Sequence, residues 1–339
     1  MSEIKQANGH RYRGVLGREG SPIPSSLRPE PESLDYDLEE ACRAVLALAS
    51  HVPDDAFTAG TLGTEREGNA VLIDDDGLAL TIGYLVTEAE RIVLVDARNR
   101  DIDADPVGYD QVTGFGLVRA REPIDVPPLS LGSIDRLGVG DAAVAIGYGG
   151  VSHALSTRVV SRRMFAGYWE YLLDEALFTA PPHPHWSGAA LLDSAGRLAG
   201  LGSLHVQDAM AEDRSAPGNM FVPLDLLPPI LDDLKRLGRA SRPPRPWLGM
   251  LATEIDERIV VAGLMEGAPA DRAGLRVGDF LLGVGDADAT TLPQLYRQIW
   301  DTGTAGVDVP LRVFRDDRVR TVTVRSADRN DYLKQPARH

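Results

Sequence analysis

Between Phe57 and about Pro223 the chain alternates short apolar runs with turn residues, and this rhythm restricts the fold more than any other feature. The runs are Ala70-Val-Leu-Ile73, Leu78-Ala-Leu-Thr81, Ile92-Val-Leu-Val95, Phe115-Gly-Leu-Val118 and Ala142-Ala-Val-Ala-Ile146. Each is short and rich in β-branched or aliphatic side chains, which suits a strand better than a helix. Asp74-Asp75-Asp76-Gly77 separates the first two as a polar hairpin turn; it lacks the ligand spacing of a calcium loop. Many short strands at regular spacing predict a β-barrel or sandwich.

The flanks read differently. Residues 1–33 mix charges with Gly, Ser and Pro and are expected to be a mobile tail. From Leu34 to Ser50 apolar residues recur at helical spacing with acidic residues in the first turns, which predicts an amphipathic helix on the domain that follows, residues 34–238. Leu224 to Leu237 has the same spacing with Gly238 as its stop signal. The Pro- and Arg-rich run 239–246 is a semi-rigid linker, 247–327 forms a second domain, and 328–339 is a C-terminal tail.

Lys and Arg total 35 against 50 for Asp and Glu, a formal net charge of −15. That balance argues against nucleic acid or an anionic membrane as a partner. Cys42 is the single cysteine, so neither an intramolecular disulfide nor a cysteine-based metal cluster is available, and no metal or cofactor is expected. The N-terminus lacks an apolar run of the signal-peptide kind, from which a cytoplasmic location is expected.

The run Pro181-Pro-His-Pro-His-Trp-Ser-Gly-Ala-Ala-Leu-Leu-Asp193 resembles the nucleophile loop of trypsin-like proteases of the HtrA type, with Ser187 at the nucleophile position. Gly68-Asn-Ala-Val-Leu-Ile73, Asp76-Gly-Leu-Ala-Leu-Thr-Ile-Gly-Tyr-Leu-Val86 and Asp110-Gln-Val-Thr-Gly-Phe-Gly-Leu-Val118 fall in register with the same family. The resemblance implies a mainly β fold, a trypsin-like double six-stranded β-barrel. On its register the base histidine falls at Tyr84, the orienting aspartate at Gly114 and the oxyanion-hole glycine at His185. A serine hydroxyl is a weak nucleophile without a neighbouring base. His185 would reach the glycine's backbone geometry only with strain. His183 and His185 are read as loop histidines rather than a substitute base or a metal pair. Tyr84 is expected to fill the emptied cleft with its hydroxyl in solvent, and Trp186 to plug a pocket.

From Trp247 to about Ser326 the chain resembles a PDZ domain, an α+β, partly open barrel. The carrying residues are Trp247-Leu-Gly-Met250, Gly267-Ala-Pro-Ala-Asp-Arg-Ala-Gly-Leu275 and Val277-Gly-Asp-Phe-Leu-Leu282. The resemblance implies that a peptide C-terminus adds as a strand at Met250 and Leu251. The N–H groups of Trp247, Leu248 and Gly249 would hold its carboxylate, and Leu295 and Ile299 would line a side pocket. The main expectation is therefore a chain that is not an enzyme: a scaffold, adaptor or complex subunit binding protein or peptide C-termini. The alternative is a serine endopeptidase or hydrolase with Ser187 as nucleophile and a rearranged or partner-supplied base. A third reading seats the tail Asp328 to His339 in the PDZ groove. The resemblance also implies a homo-oligomer, a trimer in many relatives, or a heteromeric complex.

Overall fold

The computed structural model describes residues 22–210 and 216–334. The described residues fall into two units: 22–163, 175–210, 216–241 and Lys334 in the first, and Met164–Asp174 with Arg242–Leu333 in the second.

In the first unit, β1 (Val45–His51), β2 (Glu65–Leu72), β3 (Leu78–Ile82), β4 (Arg91–Val95), β5 (Asp101–Tyr109) and β6 (Phe115–Ala120) close into a barrel in the order β1-β2-β3-β6-β5-β4. A second barrel, ordered β10-β11-β12-β9-β8-β7, is built from β7 (Ala142–Ile146), β8 (Ala154–Gly167), β9 (Tyr171–Ala180), β10 (Ala190–Leu192), β11 (Leu198–Val206) and β12 (Gly218–Pro223). Closure removes sheet edges, and the short apolar runs of the sequence become strands buried against the two barrel cores. The expected mainly β double barrel is present.

The helix expected over Leu34 to Ser50 is not. Only α1 (Leu38–Arg43) is helical, with Asp37 accepting from the Glu40 N–H at 2.9 Å as its N-cap. Val45 to Ala49 are all inaccessible, and β1 pairs with both β2 and β4. A segment with no face left for solvent satisfies its backbone in a barrel, whatever periodicity its side chains also match. Of the expected N-terminal tail, residues 22–33 are described, and they include a buried residue. Ile23 is buried in the second barrel's core and its N–H donates to the Ser152 carbonyl at 2.9 Å. Residues 1–21 lie outside the described residues.

Two helical pieces complete this unit, α2 (Ala59–Leu62) and α3 (Pro228–Leu237). The latter ends at Gly238, whose φ of 74° makes the expected left-handed cap.

The second unit holds a six-stranded sheet: β13 (Met250–Ile255), β14 (Arg258–Leu264), β15 (Phe280–Val284), β17 (Asp308–Arg315) and β18 (Arg318–Arg325) in that order, with β16 (Ala287–Asp288) paired to β15. It also carries α4 (Pro269–Arg272) and α5 (Leu292–Asp301). The latter is capped by Thr291 and buries Leu295, Tyr296 and Ile299. Leu172, from the tip of the β8–β9 hairpin, belongs to this core.

Candidate functional site

Ser187 sits in a loop pinned from several sides. Asn69 does most of this: its backbone N–H donates to the Ser187 carbonyl at 2.8 Å, and its side-chain Nδ2 donates to the His185 and Ser187 carbonyls at 3.0 and 2.9 Å. Asn69 Oδ1 accepts from the Tyr148 N–H. Gly188 has φ +74°, and a Cβ there would lie 2.0 Å from the Asn69 carbonyl oxygen, so the position after Ser187 admits only glycine.

The Tyr84 hydroxyl is not in solvent. Its Oη lies 2.8 Å from Ser187 Oγ and 3.0 Å from the Ser203 carbonyl. The carbonyl can only accept, so the phenolic proton pointing at it leaves the Oη lone pairs facing Ser187. In that polarity the Ser187 hydroxyl donates to Tyr84. Burial pushes the phenol up to about 12, partly opposed by the bond to Ser187.

Gly114, at the aspartate position, packs against the same corner: its carbonyl accepts from the Gly83 N–H at 2.6 Å. Having no side chain, it brings no charge. The Asp110 carboxylate beneath it accepts from the Thr113 N–H and hydroxyl, both at 2.8 Å.

The histidines divide as loop residues. His183 is fully buried; its Nε2–H donates to the His153 carbonyl at 2.9 Å and its Nδ1 accepts from the His185 N–H at 3.0 Å. Burial pushes it down to about 4, so it is neutral and both nitrogens are engaged away from Ser187. His185 does not have the left-handed backbone that would strain it. Its N–H is turned inward to His183, so the expected strain gives way to a different cause for an altered oxyanion position. The Trp186 ring packs beside His205, with centroids 5.5 Å apart.

The second site is the loop into β13. The N–H groups of Leu248, Gly249 and Met250 converge on one carboxylate, that of Glu170 in the β8–β9 turn, at 2.9, 2.6 and 3.0 Å. Trp247, expected to share in this, instead pairs its N–H and carbonyl with Ala327. Gly249 has φ +75°, and a Cβ there would meet Ala268 at 2.3 Å. Alongside, the Ala252 N–H donates to the Tyr168 carbonyl at 2.8 Å, and the Tyr296 hydroxyl of α5 donates to the Gly167 carbonyl at 2.8 Å. Leu251 is half-buried on β13, while Leu295 and Ile299 are fully buried in the same core as Leu172. Burial pushes Glu170 up to about 7, against the pull of the three N–H donors and of Arg329. In the described part of the tail Tyr332 packs on Trp247 with centroids 5.0 Å apart; residues 335–339 lie outside the described residues.

Sequence reasoning missed three residues here. Asn69 and Ser203 act through backbone and amide contacts that carry no motif. Glu170 had one local signal, a charged residue at the close of a short hairpin turn, where its φ of 59° would favour Gly or Asn.

A trypsin-like peptidase domain matches residues 68–201 and a PDZ domain matches residues 246–325. Among similar proteins, a probable periplasmic serine endoprotease DegP-like of Pseudomonas fulva is 26% identical over 68% of this chain and 50% of its own length. A second so named, from Pseudomonas savastanoi, is 24% identical over 89% of this chain and 64% of its own length. Protease Do-like 1, chloroplastic, of Arabidopsis thaliana is 28% identical over 80% of this chain and 66% of its own. The chain thus spans about half to two thirds of the curated relatives it matches. The solved structure of the HtrA-type protease AlgW with decapeptide shares the fold at 21% identity and a TM-score of 0.51, covering 88% of this chain and 98% of that one.

Two expectations are corrected by these relatives. The reading of the chain as no enzyme does not stand beside relatives named as serine endoproteases; it rested on the substituted positions Tyr84, Gly114 and His185 and left the Tyr84 hydroxyl in solvent. The cytoplasmic location does not stand beside relatives named as periplasmic, because a missing leader-like run carries no address. The chain therefore carries a trypsin-like peptidase domain followed by a PDZ domain and is similar to serine endoproteases named DegP-like.

Proposed function

We propose that the chain is a serine hydrolase of the endopeptidase class, acting in the periplasm, with Ser187 as nucleophile and Tyr84 as its base. The single observation that carries this is the 2.8 Å approach of Tyr84 Oη to Ser187 Oγ, with the Ser203 carbonyl 3.0 Å away on the phenol's other side. A candidate base must lie within hydrogen-bond reach of the proton it takes, and Tyr84 does.

In the reaction Ser187 Oγ bonds to the substrate's acyl carbon as its proton passes to the Tyr84 phenolate. The phenol then returns a proton to the leaving amine, and a water repeats the sequence to free the acyl group and regenerate Ser187. Asn69 fixes the loop through the Ser187 carbonyl, so the nucleophile is held in place before substrate arrives. With the His185 N–H held by His183 Nδ1, one donor is missing at the developing oxyanion. A loss of one such donor typically costs about 10²–10³ in kcat. The PDZ domain supplies the protein-binding half of the reading, taking peptide or protein segments.

The test is labelling by a fluorophosphonate across pH 7 to 10 for the unaltered chain, Ser187→Ala and Tyr84→Phe. Labelling is expected to vanish in Ser187→Ala and to fall by about 10²–10⁴ in Tyr84→Phe, the usual worth of a positioned base. No labelling at any pH, or labelling indifferent to Tyr84→Phe, overturns the reading.

A further inference from the structure

The PDZ groove already holds a ligand. The turn between β8 and β9 lies between β13 and α5, the place where an added strand would lie. Three features of a bound peptide terminus are present. A carboxylate takes the three loop N–H groups of Leu248, Gly249 and Met250; a main-chain carbonyl, that of Tyr168, accepts from the β13 N–H of Ala252; and an apolar side chain, Leu172, enters the core to which Leu295 and Ile299 also belong. These are the contacts by which strand addition recognises a C-terminus. Here the chain supplies all three from an internal hairpin.

A second observation shows that this seat constrains the turn. Glu170 is held at φ 59°, in the left-handed region that a side-chain-bearing residue adopts only at a steric cost. Gly or Asn would close the same turn without that cost. The conformation is kept because Glu170, buried, is fixed at its carboxylate by the loop and faces the Tyr296 hydroxyl at its N–H. The Arg297–Asp174 ion pair between α5 and the hairpin, 2.6 Å apart and exposed, contributes little.

We infer that Glu170 is a built-in occupant of the PDZ carboxylate loop, and that a peptide with a free C-terminal carboxylate and an apolar last residue binds this chain by displacing the β8–β9 turn. The inference rests on the peptide-binding half of the proposed function and deepens it. The free carboxylate is specified by the three N–H groups, and the apolar last residue by the core that Leu172 enters. A terminal residue presents both groups close together, whereas Glu170 and Leu172 need two residues to do so. The apparent affinity of the intact chain is therefore reduced by the fraction of molecules in which the turn is undocked.

The test uses the full chain and its Glu170→Gly variant. Glycine removes the carboxylate and suits the positive φ, so the turn can still close and the fold is kept. Binding of a fluorescent decapeptide ending in Val or Leu is measured by anisotropy, with the same peptide amidated as control. Amide hydrogen exchange at Leu248, Gly249 and Met250 is followed in both proteins without peptide. An undocked fraction of roughly 0.1–10% predicts binding about 10- to 1000-fold tighter in Glu170→Gly. It also predicts faster exchange of the three amides in the variant and little binding of the amidated peptide. Equal affinities in the two proteins, or equally protected amides, overturn the self-occupancy. If the amides are freed and neither protein binds the peptide, the peptide-binding reading itself falls, and with it displacement.

Discussion

At Tyr84 the phenol lies 2.8 Å from the Ser187 hydroxyl, and burial decides when it can act on it. Its pKa is pushed up to about 12, so the phenolate is scarce at neutral pH and grows tenfold with each pH unit below that value. The rate of Ser187 acylation is therefore expected to climb through pH 7 to 10 without a plateau. Tyr84→His replaces the proposed base with one that deprotonates near pH 6.5, and its profile should flatten above about pH 7.5. Stopped assays at constant ionic strength check both; a plateau near neutrality in the unaltered chain would assign the base elsewhere. Much of this corner was legible in the sequence, because Ser187, Tyr84, Gly114 and His185 were all placed by motif register. What Tyr84 does was not legible, since the Ser203 carbonyl that orients its proton lies 119 residues along the chain. The inward turn of the His185 N–H was equally hidden, being fixed by the tautomer of a buried His183.

At the scale of elements, periodicity and burial gave different answers for residues 34–50, and burial decided. Leu46 and Leu48 share one face of β1, while Ala47 and Ala49 pack from the other against Val93 and Val95. A run buried on both faces matches a helical template by chance because nearly all its residues are apolar. Leu48→Ala is expected to cost about 2–5 kcal/mol, the usual loss for an inaccessible leucine. Urea unfolding followed by circular dichroism reads this as a lower midpoint at unchanged slope. A loss under about 1 kcal/mol would place Leu48 at a yielding surface instead. By contrast, α3 was legible to its last residue, because the Gly238 cap is a local rule. The strand β5 escaped notice although its Asp-Ile-Asp-Ala-Asp run alternates with period two, its acidic residues exposed and Ile102 and Ala104 buried.

For the whole molecule, position along the chain and membership of a core are not the same thing. Residues 164–174 are the end of the β8–β9 hairpin, whose strands belong to the second barrel, yet they group with residues 242–333. No local pattern announces this, because the groups that receive Glu170 lie 78 to 80 residues further on. Leu172 gives the sharpest measure of the arrangement. It is buried in one cluster with Leu248, Met250, Leu295 and Ile299, and Ala166, from the other arm of the same hairpin, packs against that cluster. Leu172→Ala is expected to remove about 2–5 kcal/mol from the second unit. Native-state hydrogen exchange separates the units, since each amide reports the opening of the structure that protects it. The amides of β13, β14 and β15 should then exchange faster, while those of β1, β2 and β3 hold their rates. Faster exchange confined to the barrels would return the hairpin tip to the fold its sequence position suggests, and would remove the packing on which occupation of the PDZ groove depends.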